Sequence, residues 1–122
     1  MAGIYVPLVL LPRYTTLCGA NGTSFTTIAM DVSDYEQAVV SFWRAAGLNL
    51  TSLAITFEES MDQQNWSTCG GGPFISTGPL LEDQFSPVLT KRWFRINLTL
   101  TAGMAEAVVT CWCIGFLMQR ES

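Results

Sequence analysis

The chain has 122 residues, of which ten are acidic, six are basic and none is histidine, so its formal charge is −4. Charged residues make up 13% of the sequence, about half of the roughly 25% that is usual in soluble domains, while 49% of the residues are hydrophobic. This composition excludes intrinsic disorder, which requires low hydrophobicity and high net charge, and every site that needs histidine. An acidic chain with six scattered cations also lacks the basic surface that binds nucleic acid.

The sequence predicts β-strands along most of the chain. In chain order, the predicted strands cover residues 4–11, 25–32, 37–45, 53–58, 74–76, 93–101 and 107–118. Residues 93–101 alternate most clearly, because Phe94, Ile96 and Leu98 would face one way and Arg95 and Asn97 the other. Residues 107–118 are apolar on both faces, which is typical of a central strand covered on each side. One helical turn could form at residues 33–37.

Clusters of glycine, proline and asparagine separate these segments at intervals of roughly 10–20 residues. This spacing predicts a single all-β domain over residues 1–122, folded as an antiparallel β-sandwich or jelly roll. Its predicted core comes from the apolar faces of the strands: Val40, Phe42, Ile55, Phe57, Trp66, Phe94, Ile96, Leu98, Val109, Trp112 and Ile114.

No residue pattern predicts catalysis, a cofactor or a metal site. Glu58 and Glu59 are neighbours on a predicted strand and would point to opposite faces. Glu82 and Asp83 fall in a predicted polar loop. Residues 70–73 contain three glycines but lack the lysine and the helix of a phosphate-binding loop. The sequence therefore predicts a non-enzymatic protein.

The four cysteines, at positions 18, 69, 111 and 113, have no C-x-x-C spacing. Alternate residues of a strand lie roughly 6.5–7 Å apart, at or beyond the disulfide limit, so Cys111 and Cys113 are not expected to pair. Buried free thiols are the expected state. A Cys18–Cys69 bridge and a four-cysteine zinc site are the alternatives.

The amino-terminal segment has neither a basic region nor a cleavage site, so no signal peptide is expected, and no apolar stretch reaches the ~18 residues of a membrane-spanning helix. Residues 4–11 are apolar on both faces, but Pro7 lacks an N–H group and excludes them from a central strand. Residues 1–12 are therefore expected to form an edge strand or an intersubunit arm. The predicted interface residues are Ile4, Tyr5, Val6, Leu8 and Leu10.

An apolar edge strand promotes aggregation unless something covers it. The cover could be a neighbouring subunit, which would add main-chain pairing and side-chain burial, or the chain's own residues 70–81. If a subunit covers the edge, deleting residues 2–11 should leave a folded domain that no longer assembles.

Residues 55–66 carry a strand followed by a turn and a tryptophan, with the spacing E-S-x-D-x-x-x-W from position 59 to Trp66. Asp62 and Asn65 are expected to shape the turn through side chain–backbone hydrogen bonds, and Trp66 to fold onto the core. The commoner form of this turn has glycine where this chain has Gln63. In a second pattern, at residues 91–103, the Arg95 side chain points away from an otherwise apolar strand and is expected to pair with a carboxylate.

These two patterns, in this order, resemble those of β-sandwich structural proteins from the virions of tailed bacteriophages. The resemblance implies a head-decoration or cement protein that stabilises the capsid lattice through subunit contacts. Such a protein is made in the host cytoplasm and located in the virion. Its implied partners are further copies of the chain, with a trimer as the expected size, and other virion proteins such as the major capsid protein. A small tail component is the nearest alternative within this class.

A carbohydrate-binding module is the alternative from a different class, because discoidin-like and other jelly-roll binding modules share a related Ser-x-Asp-Gly-x-x-Trp element. In that case exposed aromatic residues such as Tyr5, Trp66 or Trp93 would stack against sugar rings. The scarcity of charge, together with four Trp, seven Phe and five Met, instead favours a surface that is buried against other subunits.

Overall fold

The computed structural model describes residues 5–77 and 81–119, and these form ten β-strands without a helix. The strands are β1 (Tyr5–Gly19), β2 (Ser24–Thr26), β3 (Met30–Asp31), β4 (Tyr35–Arg44), β5 (Leu50–Ser60), β6 (Ser67–Thr68), β7 (Phe74–Ser76), β8 (Leu81–Phe85), β9 (Trp93–Ala102) and β10 (Ala107–Gln119).

The strands form two antiparallel sheets. The four-stranded sheet has the order β1-β10-β4-β8, and the six-stranded sheet has the order β2-β9-β5-β6, with β3 beside β9 and β7 beside β5. Every described strand pair is antiparallel. The prediction of an all-β antiparallel sandwich is therefore confirmed. Residues 107–118 lie in the central strand β10 as predicted, but this strand is not covered on each side, because Phe116 on its outer side is exposed.

The core lies between the sheets and follows the alternation of the long strands. In β9, Phe94, Ile96 and Leu98 are buried, whereas Arg95 and Asn97 are half-buried on the outer face. The remaining core comes mainly from β1, β4, β5 and β10: Leu8, Leu10, Leu11, Leu17, Ala38, Val40, Phe42, Leu53, Ile55, Phe57, Ala107, Val109, Cys111, Cys113 and Leu117.

Three predicted core residues lie elsewhere. Trp112 and Ile114 are half-buried on the outer face of β10, because Cys111 and Cys113 take the inward positions. A strand that is apolar at every position does not reveal which set points inward. Trp66 follows β5 and also lies outside the core.

Replacing Ile96 with alanine should cost about 2–5 kcal/mol of unfolding free energy, because the side chain is fully buried and its removal leaves a cavity. Urea denaturation of the wild type and the variant measures this loss. A loss below about 1 kcal/mol would contradict the assignment of Ile96 to a rigid core.

Three local predictions need correction. The strand predicted over residues 4–11 does not end there, because Pro12 lies in a bulge within β1, whose pairing with β10 shifts between Leu11 and Thr15. The bulge is closed by a hydrogen bond of 2.6 Å from the Thr15 hydroxyl to the Pro12 carbonyl, and Tyr14 has a φ of +64°. The polar loop expected around Asp83 is edge strand β8, which pairs with β4. No helical turn forms at residues 33–37, because β4 begins at position 35.

The loop between β1 and β2 is tied to the end of β9. The Gly22 N–H donates to the Leu100 carbonyl over 2.8 Å, and the Ala102 N–H donates to the Asn21 side-chain oxygen over 3.1 Å. Gly22 has a φ of +88°, which favours glycine there. Both halves of the Asn21–Gly22 dipeptide are therefore held by β9.

All four cysteines are free, with Cys18 exposed and the other three buried, so the alternative of a Cys18–Cys69 bridge is wrong. Burial raises the pKa of Cys111 and Cys113 to about 12 each. These thiols are neutral at physiological pH and act as small apolar core residues.

Candidate functional site

Part of the outer face of the four-stranded sheet is apolar. Alternation along β10 points Trp112, Ile114 and Phe116 away from the core, and Phe116 is 51% exposed. Trp43 lies on the same face of β4, and Val9, which is 54% exposed, lies on β1. We call this surface, formed by Val9, Trp43, Trp112, Ile114 and Phe116, the apolar face.

An aromatic ladder crosses the apolar face. Trp112 and Trp43 are direct partners in the β10–β4 register, and their rings are stacked with centroids 4.0 Å apart. The ring of Tyr14, from the β1 bulge, contacts Trp112 edge-on with centroids 5.2 Å apart. The guanidinium carbon of Arg13 lies 5.4 Å from the Trp112 ring centroid. The bulge thus places a cation and a phenol beside the stacked indoles.

A groove of about 800 Å³ runs along this face between the β1 bulge and Phe116. Its twelve lining residues are Pro7, Leu8, Val9, Pro12, Arg13, Ser41, Phe42, Trp43, Trp112, Ile114, Gly115 and Phe116. Arg13 is the charged side chain in this set, and the other polar groups are the Ser41 hydroxyl and the indole N–H groups of Trp43 and Trp112. A groove with this lining suits an apolar occupant oriented by one charged contact.

The predicted interface residues of the amino-terminal segment divide between the core and the surface. Leu8 and Leu10 are 1% and 5% exposed, so their side chains belong to the core and that part of the interface prediction needs correction. Val6 is half-buried, and the adjacent Pro7 and Val9 are exposed. Ile4 and the side chain of Tyr5 lie outside the described residues.

The same burial overturns the expectation that residues 2–11 can be deleted without unfolding the domain. Leu8, Leu10 and Leu11 are part of the core cluster, and this segment pairs with residues 113–118 of β10. Removing it would expose the core and one side of the central strand. Substitutions of outward-facing residues are the appropriate test of assembly.

The predicted turn after β5 is built by two side chains. One carboxylate oxygen of Asp62 accepts the backbone N–H groups of Gln64 and Asn65, each over 2.9 Å, and the other accepts the Asn65 amide over 2.9 Å. The Ser60 hydroxyl oxygen accepts the N–H groups of Asp62 and Gln63 over 3.1 Å and 2.9 Å. The hydrogen bond from the Asn65 backbone is the main reason that the pKa of Asp62 lies far below its usual range.

Replacing Gln63 with glycine should stabilise the domain by about 0.5–1 kcal/mol. Gln63 has a φ of +63°, and this left-handed conformation costs an L-residue about 1–2 kcal/mol, which exceeds the extra chain entropy that glycine loses on folding. Thermal unfolding of both proteins measures the gain. The matched control is Gln64→Gly, which has no positive φ to relieve and should destabilise. Equal shifts in the two variants would contradict this explanation.

Acid should destabilise the wild type more than Asp62→Asn. Because the folded-state pKa of Asp62 is depressed, its stabilising contribution is fully present above the unfolded pKa of about 3.9 and is lost as the pH falls towards the folded value. Asparagine keeps a side-chain oxygen for the turn but does not titrate. Urea midpoints measured from pH 6 to pH 2 test this, and parallel curves for the two proteins would contradict it.

Trp66 packs on the outer face of the six-stranded sheet rather than in the core. Its ring centroid lies 3.9 Å from the Arg95 guanidinium carbon, and Arg95 donates to the Glu58 carboxylate over 2.8 Å. The predicted pairing of Arg95 with a carboxylate is confirmed. The core prediction for Trp66 was wrong because the planar cation on β9 offers the indole a partner outside the sandwich.

The tryptophans considered as sugar platforms each have a cation near the ring. Trp66 lies on Arg95, and the Arg92 guanidinium carbon is 5.1 Å from the Trp93 centroid, while Arg92 also pairs with Asp31 over 3.1 Å. The rings of Trp43 and Trp112 stack on each other. All four indoles therefore already have a partner, which reduces the ring surface open to a sugar.

Within residues 5–77 and 81–119, no group of three or more cysteine, aspartate or glutamate side chains is placed to hold a metal ion. The described part of the chain also has no helix long and apolar enough to span a membrane.

No family model matches the chain, and no curated protein matches it. Solved structures share its fold. A structure of infectious bursal disease virus, Gx strain, has a TM-score of 0.70 at 6% identity and aligns with 98% of this chain and 33% of its own. The PBSX exported protein XepA has a TM-score of 0.59 at 17% identity, over 96% of this chain and 38% of its own.

A structure of carbohydrate-binding modules from the β-sandwich superfamily has a TM-score of 0.55 at 7% identity, over 94% of this chain and 54% of its own. The chain thus spans between a third and about half of the length of these proteins. The likeness is one of fold, an antiparallel β-sandwich shared by viral proteins and sugar-binding modules.

Proposed function

We propose that the chain is a non-enzymatic structural module of a virion, a decoration or cement protein that stabilises a capsid lattice through the apolar face. The observation that carries this proposal is the exposed apolar face itself. Val9 and Phe116 are about half exposed and adjoin two half-buried tryptophans. Apolar patches of this kind on a soluble domain mark interaction sites.

The scarcity of charge supports the same proposal. Apart from Arg13, the outward positions of β1, β4 and β10 among the described residues carry no acidic or basic side chain, and the core of protein interfaces is depleted in charge and enriched in aromatic residues. The fold is compatible, since a virus structure contains a domain of the same shape. Proposed partners are further copies of the chain and a major capsid protein.

The experiment compares particles that carry the wild-type chain with particles that carry a double variant, Val9→Lys with Phe116→Lys. Both positions are exposed, so the domain should fold, but two charges on the apolar face should prevent docking. The virus or prophage that encodes the chain is grown with each version, and purified particles are probed for it by immunoblotting.

The wild type should sediment with the particles and the double variant should remain in the supernatant. The control, Ile75→Lys, places a lysine at a position that is 58% exposed on β7 in the other sheet and should sediment like the wild type. The proposal is wrong if the wild-type chain is absent from purified particles, or if the double variant sediments equally well.

A further inference from the structure

The groove on the apolar face has an asymmetric lining. Arg13 stands at its bulge end, and its lining contains no acidic side chain. Among the described residues, Arg92 pairs with Asp31 and Arg95 pairs with Glu58. Arg13 contacts the Trp112 ring, and no carboxylate of the described residues pairs with it. The groove is therefore apolar with one available positive charge in a chain of net charge −4.

We propose that this groove accepts an extended segment of another virion protein, apolar in its side chains and carrying one carboxylate that pairs with Arg13. This inference rests on the proposed function and specifies the chemistry of the partner. An apolar stretch would fill the space between Ile114 and Phe116, and the carboxylate would meet Arg13 beside the indole of Trp112. Because Arg13 is exposed, this contact would be a charge-assisted hydrogen bond of modest strength.

A second copy packed face to face is a poorer occupant, because a two-fold contact would bring the groove of one copy, with its Arg13 and no carboxylate, against the same groove of the other. A narrow chain with an acidic group matches both the shape of the groove and the positive charge of Arg13.

The inference is tested with three peptides that differ at one position: acetyl-Leu-Phe-Leu-Glu-amide and its Gln and Lys counterparts. Binding to the full chain is followed by the indole N–H resonances of Trp43 and Trp112 during titration. The Glu peptide should bind about 1.5-fold to fivefold more tightly than the Gln peptide, the range set by an exposed ion pair. The Lys peptide should bind least tightly.

Two variants identify the groups responsible. In Arg13→Gln the Glu and Gln peptides should bind equally, whereas in Phe116→Ala both should weaken while their ratio is kept. The control Ile75→Ala, on the other sheet, should change neither. The inference is overturned if the Trp43 and Trp112 resonances do not move with millimolar Glu peptide, if the Lys peptide binds as tightly, or if Arg13→Gln keeps the preference for Glu.

The particle assay separates this result from the proposed function. If Arg13→Gln binds particles that lack the chain with the same Kd as the wild type, while the double lysine variant does not bind them, the proposed function stands and the carboxylate inference fails. If analytical ultracentrifugation shows a dimer that the double lysine variant abolishes, the occupant is a second copy, and the inference is wrong.

Discussion

Replacing Gly115 with alanine should cost more than about 3 kcal/mol of unfolding free energy and leave little folded protein at 37 °C. Gly115 lies in the central strand β10, directly opposite Val40 of β4. An added Cβ would overlap the Val39 carbonyl oxygen and lie 2.7 Å from the Val40 Cα. These are backbone atoms of a paired strand, so they cannot yield without breaking the ladder between β10 and β4.

Urea denaturation measures the loss, with Gly103→Ala as the matched control. Gly103 lies in the turn between β9 and β10, and nothing lies within 4 Å of an added Cβ there. Its substitution should change stability by less than about 0.5 kcal/mol. Similar midpoints for the two variants would show that β4 is not held as close to β10 as the structure places it.

Replacing Phe57 with alanine should cost about 3–5 kcal/mol, because its side chain is fully buried and central to an aromatic cluster. Its ring centroid lies 5.5 Å from that of Phe85, 6.0 Å from that of Phe94 and 6.3 Å from that of Phe74. The substitution would leave a cavity bounded by residues of both sheets, in which three rings lose a contact.

Chemical denaturation should separate this variant clearly from Phe116→Ala. Phe116 is 51% exposed on the apolar face, so its truncation should cost less than about 1 kcal/mol. If the two phenylalanines contribute equally to stability, the assignment of inner and outer faces to these strands is wrong.

Much of the fold could be predicted from local alternation. Residues 93–101 carry a clear period of two, and the structure places their apolar set inward as predicted. Residues 107–118 are apolar at almost every position, so the sequence predicts a central strand but does not say that Cys113 faces inward and Trp112 outward. That choice depends on pairing with β4 and β1, which is non-local.

Most of the candidate site could not be predicted from the sequence, because it also depends on non-local strand pairing. Trp43 and Trp112 are far apart in the chain and meet only through the β4–β10 register. The β1 bulge that brings Arg13 to them reads in the sequence as the end of a strand, because proline in position 12 is a turn signal. The turn at Asp62 could be anticipated, since Asp and Asn hydrogen-bond to nearby backbone groups in many turns.

The hydrogen bonds that hold the loop between β1 and β2 should slow the deamidation of Asn21. In a flexible chain, the glycine nitrogen of an Asn-Gly pair attacks the asparagine side-chain carbon, ammonia leaves, and water opens the resulting succinimide to aspartate or isoaspartate. Here the Gly22 nitrogen is engaged by Leu100 and the Asn21 amide by Ala102, so the reaction must wait until the loop detaches. The rate of Asn21 deamidation during storage would therefore report how often the loop between β1 and β2 detaches from β9.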